Sequence, residues 1–138
     1  MQWMRRILVS GLLLALLIGT PTLTENADAG GYNSFPYGQC TWYAMSMRPD
    51  LAGSVWGNAW NWAYAARVSG ESVGYYPQRG AVVVFQPWTQ GARFYGHVGY
   101  VTSVGSNGWF QVAEMNFPYV GSITYRWAQA EGGVSFIY

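Results

Sequence analysis

The chain has no lysine, one cysteine and one histidine among 138 residues, and only 9% of its side chains are charged. Each shortage excludes something. With Cys40 as the only thiol there is no internal disulfide, so the fold must rest on burial rather than on cross-links. One Cys and one His do not make an ordinary zinc ligand set. No stretch alternates Asp and Asn as a calcium loop does, and no glycine-rich phosphate loop is present. Positive charge is equally scarce. The seven basic residues are all arginines, and six acids leave a net charge of +1. Nucleic acid requires a basic face, which this composition does not supply. Electrostatic attachment to an anionic membrane is excluded on the same ground.

The N-terminal region is patterned differently. Arg5 and Arg6 precede an apolar run from Ile7 to Ile18, interrupted only by Ser10 and Gly11. That run is well short of the ~20 residues a spanning helix needs. After Pro21 the chain turns polar and reaches Ala27-Asp28-Ala29, a small-x-small signal. This order predicts a secretory signal peptide over residues 1–29, cleaved after Ala29, with an uncleaved amphipathic anchor as the alternative. Residues 30–138 then form one exported domain, without stable membrane association once the signal is gone. Aromatic residues are abundant, with 8 Trp, 11 Tyr and 6 Phe. Most are expected to pack a core. A minority suit a groove for an extended ligand, because Tyr and Trp combine flat apolar area with a polar tip.

The exported part divides into helices followed by strands. Cys40 to Met47 predicts a short helix that stops before Pro49, since proline disfavours helical geometry at the residue before it. Asn58 to Val68 predicts a second helix. Asn58 would be its N-cap, Ala59, Trp62, Ala63 and Ala66 its apolar stripe, and Gly70 its stop. Strands are then expected at Ala81–Phe85, His97–Val104, Trp109–Phe117, Ser122–Trp127 and Val134–Tyr138, with Asn107-Gly108 as a hairpin turn. Helices first and about five antiparallel strands after them specify an α+β fold. The connection Gln86–Gly96 is long for a hairpin and ends next to the sole histidine. It reads either as a substrate-facing loop or as a plain surface insertion.

A lone cysteine in an exported protein is buried and inert, paired between chains, or reactive. Cys40 stands where a helix begins, and a helix N-terminus lowers a thiol pKa and offers unpaired N–H groups to an oxyanion. Gly38 would let the backbone turn tightly into that helix. A cysteine nucleophile needs a base, and His97 is the only histidine. The spacing around Asn107-Gly108 puts His97, Glu114 and Asn116 on one sheet face, unless a bulge shifts the alternation. Either Glu114 or Asn116 could then orient the imidazole. Glu114, flanked by Val112, Ala113 and Met115, needs a partner. His97 and Arg126 are the two choices.

In order along the chain stand QCTWYA with Cys40, WGNAWNWA, PQRGAVVVFQP, GHVGYV with His97, and AEMN with Glu114 and Asn116. This series resembles the CHAP family, the cysteine, histidine-dependent amidohydrolases/peptidases, over about residues 35 to 138. The resemblance implies a papain-like α+β fold and hydrolysis of amide bonds in bacterial peptidoglycan. It implies Cys40 as nucleophile, His97 as base, Glu114 as the group orienting His97, and Asn116 as a further active-site residue. Gln39 would polarise the substrate carbonyl. Trp60, Trp88 and Tyr95 are candidates to hold substrate, with ordinary packing or loop roles as the alternative. Some members bind calcium through an acidic loop before the cysteine; Gly30–Gly38 has no acid, so no metal is expected here, nor a cofactor. The expected partner is bacterial peptidoglycan and the expected state a secreted or wall-associated monomer. A non-catalytic wall-binding scaffold that keeps the fold is the rival reading.

Overall fold

The computed structural model describes residues 32–52 and 56–138. The expected signal segment and its cleavage site lie outside the described residues. The ordered chain begins with helix α1, Cys40–Met47. Gly38 leads into it at φ +93°, and a Cβ there would lie 2.8 Å from Val120 Cγ1. Only glycine meets both demands without strain. The helix stops at Arg48, where φ is −131°, and Pro49 opens a short 3-10 turn, Pro49–Leu51. Arg48 then fastens the helix end to the sheet. Its guanidinium donates to Asp50 at 2.7 Å and to the backbone carbonyls of Gly80 and Tyr138, each at 3.1 Å.

The stretch expected as one helix from Asn58 is in fact split. A 3-10 turn, Ala59–Asn61, precedes helix α2, Trp62–Val68, and Asn58 makes no side-chain cap bond. The turn is tied at long range. Trp60 N–H, a first-turn donor with no acceptor inside a helix, donates to the Tyr95 carbonyl at 3.0 Å, and the Trp60 carbonyl accepts from the Gln86 side chain at 3.0 Å. Gly70, at φ +89°, ends α2, with Glu71 N–H returning to the Ala66 carbonyl.

Six strands follow: β1 Val73–Gly74, β2 Val82–Phe85, β3 His97–Val104, β4 Trp109–Met115, β5 Ile123–Gln129 and β6 Val134–Ile137. They form one antiparallel sheet in the order β1-β6-β2-β3-β4-β5. The α+β architecture expected from the sequence is therefore observed. The five expected strands are present, and β1 is the addition; two residues carry no alternation from which to predict it. β2 and β6 are buried along their whole length, as central strands covered on both faces must be.

Two apolar layers flank the sheet. On one face Ala44, Met45, Trp62 and Ala66 from the helices pack on Val82, Val84, Val98 and Ile137. On the other, Val83, Phe85, Val101, Phe110, Val112 and Phe136 form a second cluster. That cluster joins Ala128 of edge strand β5 to Val134 of β6, so the sheet curls over its own inner face. The β3–β4 hairpin sets what reaches the rim of that face. Asn107 and Gly108 both have positive φ, and Trp109 N–H donates to the Ser106 carbonyl, which is the two-residue turn expected from Asn-Gly. Beyond the turn the register slips twice. Val104 pairs with Phe110, and past Thr102 Val101 pairs with Val112. Each slip adds one residue to β3, so the two together restore the alternation. His97 and Glu114 consequently share the inner face.

Candidate active site

Cys40 and His97 reach each other from opposite sides of the sheet. Cys40 is the first residue of α1, in the helix layer, while His97 is the first residue of β3 and points to the inner face. They meet because both stand at the ends of their elements, at the same rim. Gly96 makes that meeting possible. A Cβ there would lie 2.8 Å from both the Phe85 carbonyl oxygen and Trp60 N, so only glycine lets the chain enter β3 at this point.

The His97 ring is almost wholly buried, 4% exposed, between Phe117 and Phe85, whose ring centroids are 5.1 Å and 6.1 Å away. Its Nε2 lies 2.9 Å from Glu114 Oε2, which leaves Nδ1 to face the Cys40 thiol that lines the same pocket. Glu114 is fully buried, and both partners considered for it are in place. Arg126 Nε donates to Oε1 at 2.6 Å, and its second contact, to Oε2, is 3.4 Å long. The guanidinium carbon sits 4.2 Å from the Phe117 ring centroid and 4.9 Å from that of Phe85. One carboxylate thus orients the imidazole with one oxygen while the arginine holds the other.

The electrostatics follow from this arrangement. Burial alone would push the Cys40 thiol up, but the His97 hydrogen bond and charge, aided by backbone groups of Val98 and Thr41, outweigh it and lower the pKa. Burial would likewise push His97 down, yet Cys40 and Glu114 together raise it to about 9. Both shifts favour the charged form of the pair, a thiolate beside an imidazolium. A helix N-terminus adds to the same effect, since its first N–H groups have no intrahelical acceptor.

Asn116 behaves differently from the expectation that it might orient the imidazole. Its φ is +57°, and its Nδ2 donates 2.8 Å to Gln39 Oε1. The left-handed backbone at the end of β4 carries the amide away from His97 and towards Gln39, the residue before Cys40. Gln39 is thereby held by its oxygen, and its Nε2 is the end left to face a ligand.

An open pocket of about 410 Å³ contains Gln39, Cys40, Tyr95, His97 and Asn116, with Glu114 behind His97. Two sequence candidates lie outside it. Trp60 lines a neighbouring concavity, and Trp88, 75% exposed, projects from the long loop where its N–H bonds the Ala92 carbonyl. The loop itself does face the site, since Gly91, Ala92, Arg93 and Tyr95 form one wall. Arg93 was not singled out from the sequence, although a charge in a long loop just before the sole histidine was a usable signal. Among the described residues no group of three or more His, Cys, Asp or Glu is placed to hold a metal, and no helix is long and apolar enough to cross a membrane.

Comparison with known proteins places the chain in a family and a fold. The CHAP domain matches residues 30–116. Staphylococcal secretory antigen SsaA of Staphylococcus aureus is 43% identical over 117 residues, 83% of this chain and 44% of that protein. SsaA of Staphylococcus epidermidis is 42% identical over 115 residues, 83% of this chain and 43% of that one. The chain therefore spans less than half the length of these curated relatives. A crystal structure of an N-acetylmuramoyl-L-alanine amidase from Staphylococcus aureus superposes with a TM-score of 0.68 at 33% identity, over 80% of this chain and 33% of that one. The crystal structure of Ly7917, at 23% identity and TM-score 0.53 over 80% of this chain and 57% of that one, is alike in fold alone.

Proposed function

This chain belongs to the CHAP domain family, and from that premise we propose that it is a secreted peptidoglycan hydrolase that cuts amide bonds with Cys40 as nucleophile. One observation carries the reading: a thiol lowered by an adjacent imidazole, itself held by a buried carboxylate, at the wall of an open pocket. A structural cysteine has no need of such a partner. The names of the relatives support export and a wall substrate. In this reading residues 1–29 are the export signal, residues 30–138 are the catalytic domain, and the domain acts as a monomer on the wall.

In the mechanism, Cys40 Sγ attacks the carbonyl carbon of a wall amide. The oxyanion is met by backbone N–H at the start of α1 and by Gln39 Nε2, which Asn116 positions. His97 gives its proton to the leaving amine, the C–N bond breaks, and a thioester remains. Neutral His97 then takes a proton from water, whose oxygen attacks the thioester. The acid product leaves and Cys40 is restored. Glu114 keeps the imidazole oriented and stabilises its charged form throughout. Tyr95 flanks the scissile amide from the pocket wall.

The test is release of fragments from purified peptidoglycan, with Cys40→Ala as control. Mass spectrometry of the fragments separates an N-acetylmuramoyl-L-alanine amidase, which frees lactyl carboxylates, from an endopeptidase, which creates new amino termini between residues. Clearing that persists in Cys40→Ala would remove the thiol from the mechanism.

A further inference from the structure

A second concavity of about 570 Å³ adjoins the Cys40 pocket. Trp60 lines it, and Trp60 N–H donates to the carbonyl of Tyr95, which lines the first pocket. That bond ties the lining of one hollow to the lining of the other. We propose that this second groove is a saccharide subsite that holds an acetamido-sugar unit of the glycan strand while the attached peptide reaches Cys40. The proposal rests on the wall-hydrolase reading and names the sugar part of its substrate.

Three features select a sugar. The first is aromatic. Trp60 and Tyr64, four residues apart where the 3-10 turn runs into α2, and Tyr75, just past β1, line one cavity and remain 46%, 67% and 65% exposed. Rings that serve the core of this domain are buried; these three present their area to solvent. Pyranose rings offer flat, positively polarised C–H faces that stack on the negative face of an aromatic ring. The second feature is the state of the neutral amides. Asn61 spends Nδ2 on the Trp56 carbonyl at 3.1 Å, and Gln86 spends Nε2 on the Trp60 carbonyl at 3.0 Å. Among the described residues the carbonyl oxygen of neither side chain has a partner, so each amide offers a fixed acceptor and keeps its second N–H as a donor. Such groups suit an acetamide and sugar hydroxyls, which both donate and accept. The third is charge. Among the described residues lining the groove Arg67 alone is charged, so most of the surface is neutral, as an uncharged polymer requires. The volume lies within the ~300–1,000 Å³ range of small-ligand sites.

The experiment measures binding, not turnover. The Cys40→Ala form of the whole chain is titrated with tetra-N-acetylchitotetraose, an uncharged acetamido-sugar oligomer, by calorimetry and by NMR of the Trp60 indole N–H. The oligomer is expected to bind and to shift that signal. Tyr64→Ala and Tyr75→Ala should each weaken binding about fivefold to tenfold, as expected for one stacked ring. Arg67→Ala should change it less than about twofold, since the probe is uncharged. Both tyrosines are exposed, and unchanged melting temperatures verify that the variants fold. No binding overturns the proposal, as does an affinity untouched by both tyrosine variants. It is equally overturned if a sugar-free stem peptide fills the groove with an affinity that depends on Arg67. Failure of the hydrolase reading is read elsewhere, in the absence of fragments from the unaltered chain, and leaves the binding result to decide the groove.

Discussion

The two concavities that meet at Trp60 and Tyr95 are built on opposite rules. The Cys40 pocket is the smaller, and its important groups are half or wholly buried, each fixed by a named hydrogen bond. The neighbouring groove is larger, lined by exposed rings and amides, and contains no acid and no histidine. Size therefore does not locate the chemistry. Reaction requires proton carriers held at unusual pKa values, which only desolvation and close partners produce. Holding a neutral polymer requires exposed flat area and a few fixed acceptors, which the groove supplies without burying a charge.

The sharpest way to break this contrast is to remove the thiol. Cys40→Ala should lower hydrolysis of wall material by about a thousandfold or more, while the groove keeps its ligand. A loss of both activities would mean that the two hollows are one site. Next in size is Glu114→Gln, which keeps the shape and removes the charge. His97 loses the partner of its imidazolium, and Arg126, wedged between Phe85 and Phe117, faces a neutral amide. Turnover should fall about 10²- to 10⁴-fold, by analogy with neutralising the acid of a catalytic triad. Stability should fall by roughly 3–5 kcal/mol, the usual cost of breaking a buried ion pair from one side, measured by urea unfolding. A variant that loses stability but not turnover would make Glu114 a packing residue.

The pH profile probes the same pocket without mutation. His97 is raised to about 9 and must carry a proton to the leaving amine. Activity should therefore hold across neutral pH and fall as pH rises through about 9. On the acid side it should fall where the thiolate is protonated, below the ordinary thiol range because the Cys40 pKa is lowered. For stability the sign is the same. The raised His97 pKa contributes fully below its unfolded value of about 6.5 and is lost as pH climbs through about 9. In Glu114→Gln the basic limb should move to lower pH. Sugar binding in the groove should stay flat across neutral pH, because among the described residues no histidine or thiol lines it.

How much of this was legible depended on how local the cause was. The bounds of α1 follow from Pro49 and from Gly38 just before Cys40, both close in sequence, and the helix runs where those residues direct it. Alternation put His97 and Glu114 on one face, and the structure keeps them there. It does so through two slips in β3, at the turn and at Thr102, which no sequence pattern announces. Glu114's choice between His97 and Arg126 was a false one, since a carboxylate has two oxygens and uses both. The 3-10 start of α2 escaped notice because the Tyr95 carbonyl and the Gln86 amide that tie it are distant along the chain. The groove escaped in part for the same reason: Trp60 and Tyr64 are four residues apart, but Tyr75, Gln86 and the β6 residues join them only through the fold.

Asn116 gives the smallest expected effect and the finest distinction within the Cys40 pocket. Its amide does not touch His97; it fixes Gln39. Asn116→Ala should therefore act only through the orientation of Gln39 Nε2. Loss of an oxyanion donor itself costs about 10²- to 10³-fold in turnover, so Gln39→Ala sets the ceiling. Asn116→Ala should cost less, on the order of tenfold, because Gln39 still visits the productive rotamer. The loss should fall on kcat rather than KM, since the interaction forms with the tetrahedral oxyanion and not with the ground-state amide. The double variant should be no worse than Gln39→Ala alone, which is the signature of two residues acting in series. An additive double variant, or a shift of the basic limb in Asn116→Ala, would instead tie Asn116 to the imidazole and remove the division of labour between the Glu114 and Gln39 sides of the pocket.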